Sequence, residues 1–239
     1  MIHYHGSPIG PTRAALEVYT GRHAFVSYKA QMQLGMVAEI SQSFALDNGA
    51  FTFWKTGTPK IEWEDYYDWL REWSTHPSCD FAVVPDVIDG TEEENDELAS
   101  EWPLDKSVAA VVWHTNESPE RLLRLAKEWP RVAIGSSGEY DVRKVKMLLD
   151  RMYEVLPDIL NEHGYPICKL HGLRMLNPKV FTKLPLSSAD STSIGRNIGI
   201  DKIWKGSFQP VHKHVRAAIL TDRIEAYNSI GKISQLEEV

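Results

Sequence analysis

Two aspartates are placed to work as a pair. Asp47 closes the run Ser43–Asp47 and Asp190 closes the run Pro185–Asp190. Two carboxyl groups in one pocket can divide their labour: one attacks or stabilises a cationic carbon while the other moves a proton. Other polar residues end apolar runs in the same way. They are His5-Gly6-Ser7, Asp86 with Asp89 beyond it, His114-Thr115-Asn116, Gly135-Ser136-Ser137-Gly138-Glu139, His171-Gly172, and Ser191-Thr192-Ser193 after Asp190. Each has an ordinary structural explanation. Asp47-Asn48-Gly49 is a turn signal, Asp86 and Asp190 suit helix caps, and a single histidine is often a satisfied core residue. What gives them weight is shared position. All fall at one end of their runs, and the opposite ends carry no comparable cluster.

Metal binding is an open alternative. His5, His114 and His171 with Asp47, Asp86 or Asp190 could ligate an ion if three strands converged, but only His3 and His5 form an HxH pair on one strand. The expectation is no metal and no cofactor. No G-x-S-x-G nucleophile elbow is present.

The runs that must position these residues number eight: Ile2–His5, His23–Ser27, Ser43–Asp47, Asp80–Pro85, Val108–His114, Arg131–Gly135, Pro166–His171 and Pro185–Asp190. Several are continuously apolar, as in FAVVP and VAAVVW, which suits parallel strands covered on both faces. Helical patterns lie between them. Pro11–Tyr19 begins with proline, and Gln31–Ile40 is apolar but weakened by Gly35. Trp63–Trp73 has helical aromatic spacing, and Thr91 with Glu94 reads as a capping box. Ser118 precedes a helix over Pro119–Trp129, Asp141–Asn161 should be the longest helix, and Val211–Ser229 should close the chain. Strand–helix alternation repeated eight times predicts an α/β fold, a single compact (β/α)8 TIM-type barrel spanning 1–239, with 198–239 as its closing segment and helix. Its working residues belong at the C-terminal strand ends. An open doubly wound sheet is the alternative, but no glycine-rich phosphate fingerprint follows the first strand.

Bulk properties agree. With 239 residues, 43% hydrophobic and 25% charged, the chain can bury a large core without staples. Two cysteines, Cys79 and Cys168, suit a reducing cytoplasm and cannot form a four-cysteine zinc site. No signal peptide or membrane span is read from the sequence, so the expected partners do not include a membrane. Oligomeric state is open. A net charge of −7 argues against a broad electrostatic grip on nucleic acid. A local basic patch remains open, with Lys202, Lys205, His212, Lys213, His214 and Arg216 as candidates, although a solvated charged face is the favoured explanation.

The ordered motifs resemble the tRNA-guanine transglycosylase superfamily, most closely its short phage and bacterial relatives that exchange guanine for 7-deazaguanines in DNA. Leu46-Asp47-Asn48-Gly49-Ala50-Phe51 is similar to the family's Asp-Ser-Gly-Gly-Phe/Tyr motif, with Asn and Ala replacing Ser and the second Gly. Ile134-Gly135-Ser136-Ser137-Gly138-Glu139 is similar to its glycine-rich run, and His171-Gly172-Leu173 to its His-x-x-Gly-like segment. Ser188-Ala189-Asp190 through Arg196-Asn197 is similar to the strand that ends in the nucleophile. The zinc motif of the tRNA enzymes is absent, which favours DNA as the substrate.

The resemblance implies a cytoplasmic glycosyltransferase acting on DNA and a free 7-deazaguanine base. It implies Asp190 as nucleophile, Asp47 as the proton-moving group, Phe51 stacked on the purine and Asp86 reading its edge. Gly135, Ser136, Ser137 and Gly138 would meet O6, with His114, His171, Arg196 and Asn197 as further substrate contacts. A hydrolytic DNA glycosylase on the same scaffold needs the same aspartates, and a metal-dependent barrel hydrolase of a small molecule is the alternative from another class.

Overall fold

The computed structural model describes residues 1–57, 62–199, 204 and 206–233. Eight strands form one closed, all-parallel barrel in sequence order. They are β1 (Ile2–Gly6), β2 (His23–Ser27), β3 (Ser43–Asp47), β4 (Cys79–Val83), β5 (Ala109–His114), β6 (Arg131–Gly135), β7 (Lys169–Gly172) and β8 (Ser188–Ser191). β8 pairs back onto β1, with Tyr4 opposite Asp190. The fold is therefore the expected (β/α)8 TIM-type barrel.

Strand alternation sends one set of side chains inward and the other toward the helices. Tyr4, Phe25, Ala45, Phe81, Val83, Ala110, Val112 and Ala133 form one buried cluster inside the barrel. His171 is fully buried among its aromatic members, stacked on Phe25 at 5.3 Å and edge-on to Phe81 at 5.0 Å between ring centroids. This layer is a floor below the C-terminal mouth. A larger cluster fills the space between barrel and helices.

The helices are α1 (Thr12–Tyr19), α2 (Leu34–Ile40), α3 (Ala50–Thr56), α4 (Glu64–Trp73), α5 (Glu92–Ser100), α6 (Pro119–Glu128), α7 (Val145–Val155), α8 (Pro178–Phe181), α9 (Ser193–Asn197) and α10 (Lys213–Glu225). Thr91 makes the full capping box with Glu94, and the Ser118 hydroxyl accepts from the Arg121 N–H with Pro119 in the first turn. α10 packs on α1 and closes the ring.

Three expectations need correction. The segment Asp141–Asn161 is not one long helix. Asp141 accepts the Arg143 N–H at 2.8 Å and holds the chain in a turn, while Leu156–Ile159, with a proline at its start, is a 3-10 turn. The longest described helix is α10, at 13 residues. The first three residues of Gln31–Ile40 belong to a 3-10 segment, Tyr28–Gln33, and α2 begins only at Leu34.

The third correction concerns the N-terminal mouth, which is also polar. Tyr4 donates to Asp80, and Ser43 Oγ donates to Asp80 Oδ2 at 3.4 Å. His23 Nδ1 lies 2.9 Å from Ser43 Oγ, and the Arg131 guanidinium sits 3.9 Å above Phe81. Barrel register brings these strand-start residues together, although in sequence each is solitary. In this fold such a cluster belongs to stability, since catalysis sits at the other face.

Candidate active site

A cavity of about 820 Å³ opens at the C-terminal mouth. Asp47, Phe51, Asp86, His114, Gly135, Ser136, Ser137, Gly138, Asp190 and Arg196 all line it. Asn197 does not appear in its wall, and His171 lies below it in the floor. His5 points away from the barrel axis, with Nε2 2.9 Å from Glu225 Oε1 on α10.

Asp190 is almost fully buried at the end of β8. Its Oδ1 accepts the Arg174 backbone N–H at 2.7 Å, and His171 Nε2 stands 3.5 Å from the same oxygen. His171 Nδ1 is 2.8 Å from Ser188 Oγ, so both ring nitrogens are addressed from β8. Burial holds the His171 pKa below 6.5 against the pull of Asp190, which keeps the ring neutral near pH 7. Among the described residues nothing donates to Asp190 Oδ2.

Asp47 differs sharply. Burial at the cavity wall pushes its pKa from 3.8 up to about 7. The nearby Asp190 and Asp86 carboxylates push the same way, while the Ser27 hydroxyl and the Gly49 N–H offset part of the rise. Ser27 and Asp47 are level across β2 and β3. The turn after Asp47 needs Gly49 for two reasons. Its φ is +80°, and a Cβ there would meet the Lys29 side chain at 2.7 Å.

Asp86 is clamped on both oxygens. Asn48 Nδ2 donates to Oδ1 at 2.7 Å, and His114 Nε2 lies 3.0 Å from Oδ2. Burial opposes a charge on His114, but Asp86 and Glu117 outweigh it and hold the His114 pKa above 6.5. Glu117 in turn accepts the His114 backbone N–H at 2.8 Å and pairs with buried Arg121 at 2.5 Å. Gly135 lies level with His114 in the barrel, and a Cβ on it would stand 2.7 Å from His114 Nδ1. The imidazole therefore occupies room that only glycine leaves. The Ser136 hydroxyl is buried behind the cavity wall with no hydrogen-bond partner among the described residues.

Phe51, on the first turn of α3, is partly exposed. The Arg174 guanidinium lies over its ring, 4.0 Å from the centroid. Among the described residues Arg174 alone combines a side chain with positive φ, at 60°. That uncommon backbone geometry accompanies the N–H that holds Asp190. Arg174 thus touches both the candidate nucleophile and the candidate stacking ring. Nothing in the motif His171-Gly172-Leu173 marks it; its only signal is its place just past a strand end. Asn48 was concealed by the turn signal it belongs to.

Among the described residues six basic side chains, Lys29, Lys55, Arg143, Lys144, Arg174 and Arg196, line the same cavity beside five aspartates, Asp47, Asp86, Asp89, Asp141 and Asp190. The basic group therefore gathers from loops and helices around the mouth, not from the tail. Of the tail candidates, Lys202 and Lys205 lie outside the described residues. His212 and His214 stack on each other at 5.4 Å, and Arg216 is tied to the Pro210 and Ile198 carbonyls.

Among the described residues no group of three or more His, Cys, Asp or Glu side chains is arranged to hold a metal ion, and no helix is long and apolar enough to cross a membrane. No protein-family model, curated protein or solved structure matches the chain, and the chemistry of this cavity is what bears on its function.

Proposed function

We propose that the protein is a base-exchanging transglycosylase that replaces guanine in DNA with a 7-deazaguanine, through Asp190 as nucleophile. The observation that carries this reading is the unequal pair of carboxyls in one cavity. Asp190 has one oxygen fixed by the Arg174 N–H, while Asp47 has a pKa of about 7. Cleaving an N-glycosidic bond builds positive charge at C1′. A carboxylate with one oxygen fixed presents the other to that carbon, forms the C1′–O bond as the C1′–N bond breaks, and leaves the electron pair on the base. The departing base then needs a proton, and the incoming base must lose one. A carboxyl poised near neutrality serves both directions.

The remaining contacts fit a purine. Phe51 offers a ring face, Asp86 offers acceptor oxygens to N1–H and an exocyclic amine, and the unpartnered Ser136 hydroxyl can donate to O6. His114 and Asn48 hold Asp86 in place for that reading. The lysines and arginines around the mouth can meet the phosphates of a strand, and the target nucleotide must leave any stack to reach the floor.

The test is incubation with guanine-containing DNA and labelled guanine or 7-deazaguanine. Label entering DNA is the expected result, with Asp190→Ala and Asp190→Asn at background and both variants folded by circular dichroism. Near-normal exchange in either variant removes Asp190 as nucleophile. Release of free base without incorporation would instead identify a hydrolytic glycosylase.

A further inference from the structure

α3 carries a second aromatic that neither aspartate uses. Trp54 stands one turn beyond Phe51, and its indole is half exposed although it lines the cavity. The two ring centroids are 5.6 Å apart with their planes tilted by 37°. Trp54 is fixed rather than loose, because its Nε1–H donates to Asp89 across the mouth. Phe51 is covered on one side by Arg174. The result is a short row of flat surfaces, Arg174–Phe51–Trp54, tethered at both ends and leading outward from Asp190.

That geometry does not suit continuous duplex. Stacked neighbours along one strand are parallel and spaced about 3.4 Å apart. Two ring faces tilted by 37° present separate platforms, one for each of two bases already unstacked from each other. Charge agrees with the path. Lys55, on the same helix, lines the cavity and is exposed, whereas Arg143 there is paired with Asp141 at 2.7 Å. Trp54 also walls a second cavity, of about 780 Å³, whose Glu94, Glu97 and Glu101 would repel a phosphate chain. The acidic second cavity disfavours a bound strand on that side of the indole, which leaves the side of Lys55.

We infer that Trp54 is the binding platform for the nucleotide next to the target, so that the enzyme selects single-stranded DNA. The inference rests on the exchange reading above for the identity of the target base. Aromatic platforms beside a basic groove hold unpaired strands by stacking, largely without regard to sequence.

The experiment measures fluorescence anisotropy of a labelled guanine-containing 12-mer and of the same 12-mer in duplex, with the full chain and no free base added. The single strand binds more tightly. Trp54→Ala weakens that binding by at least about fivefold, the lower bound for one base–aromatic stack. Trp54→Phe retains most of it, and duplex binding changes little in either variant. Trp54 is exposed, and matching thermal melts establish that both variants fold. Single-strand affinity in Trp54→Ala within twofold of wild type, or duplex binding as tight as single-strand binding, overturns the inference. Labelled-base incorporation separates the two readings. Trp54-dependent strand binding without exchange in any DNA removes the reaction and keeps the platform. Exchange by Trp54→Ala at wild-type kcat/KM on single strands removes the platform and keeps the reaction.

Discussion

Asp47 and Asp190 are the same residue type at equivalent strand ends, and their surroundings make them chemically unlike. Burial, and then two neighbouring carboxylates, lift the Asp47 pKa to about 7. Under the proposed reaction this group should appear as a limb near pH 7 in the profile of kcat/KM, and Asp47→Asn should erase that limb along with most of the rate. Asp190→Asn removes a nearby negative charge, so the Asp47 titration should move down, which carboxyl-carbon NMR would follow. A flat response would mean that the two groups do not sense each other. Stability carries the same signature. Folded Asp47 keeps its proton to about pH 7, whereas the unfolded chain releases it near 3.8, so the folded state binds more protons between these values. Unfolding free energy should therefore fall as pH rises from about 4 to 7. Asp47→Asn should flatten that slope in denaturant titrations, a readout independent of catalysis.

At the scale of elements, the network behind β5 joins three pieces of structure. Arg121 of α6 pairs with Glu117 after β5 and with Asp96 of α5 at 2.9 Å, and donates to the Val112 carbonyl at 3.0 Å. Arg121 and Glu117 are both nearly inaccessible to solvent. Arg121→Met leaves a buried carboxylate unpaired and should cost roughly 3–5 kcal/mol by chemical denaturation. The double variant Arg121→Met with Glu117→Gln should recover much of that loss.

The strands were legible because each is an apolar run between turn signals, and the period of two needs only four to seven residues to show. β2, β3 and β6 begin and end where their runs do. The short helices α3, α8 and α9 were not, because four to seven residues carry too little periodicity. α7 was over-extended because Asp141 and Pro157 act through a local hydrogen bond and a missing N–H, which interrupt a pattern that otherwise continues. Asp47, Asp86 and Asp190 could be found as polar ends of apolar runs. Arg174, Trp54 and Asn48 could not, since their importance lies in what they touch across loops. The polar ring of Tyr4, His23, Ser43, Asp80 and Arg131 was invisible for the same reason.

For the whole molecule, a net charge of −7 coexists with six cations around one mouth. The field that matters to a phosphate chain is local. Affinity for single-stranded DNA should fall with salt, and Lys55→Ala should reduce the slope of log K against log salt by about 0.7 if that lysine meets one phosphate. An unchanged slope would place Lys55 off the strand. The floor of the barrel has a different kind of consequence. His171, Phe25, Phe81 and Tyr4 close the interior, and the polar ring seals the far end. Among the described residues the chamber is closed below, so bases enter and leave on its upper side. Under the proposed exchange the outgoing purine leaves before its replacement enters, with the sugar held meanwhile on Asp190. Initial-rate plots at several fixed concentrations of incoming base should then be parallel lines, the mark of alternating half-reactions rather than of two bases bound together.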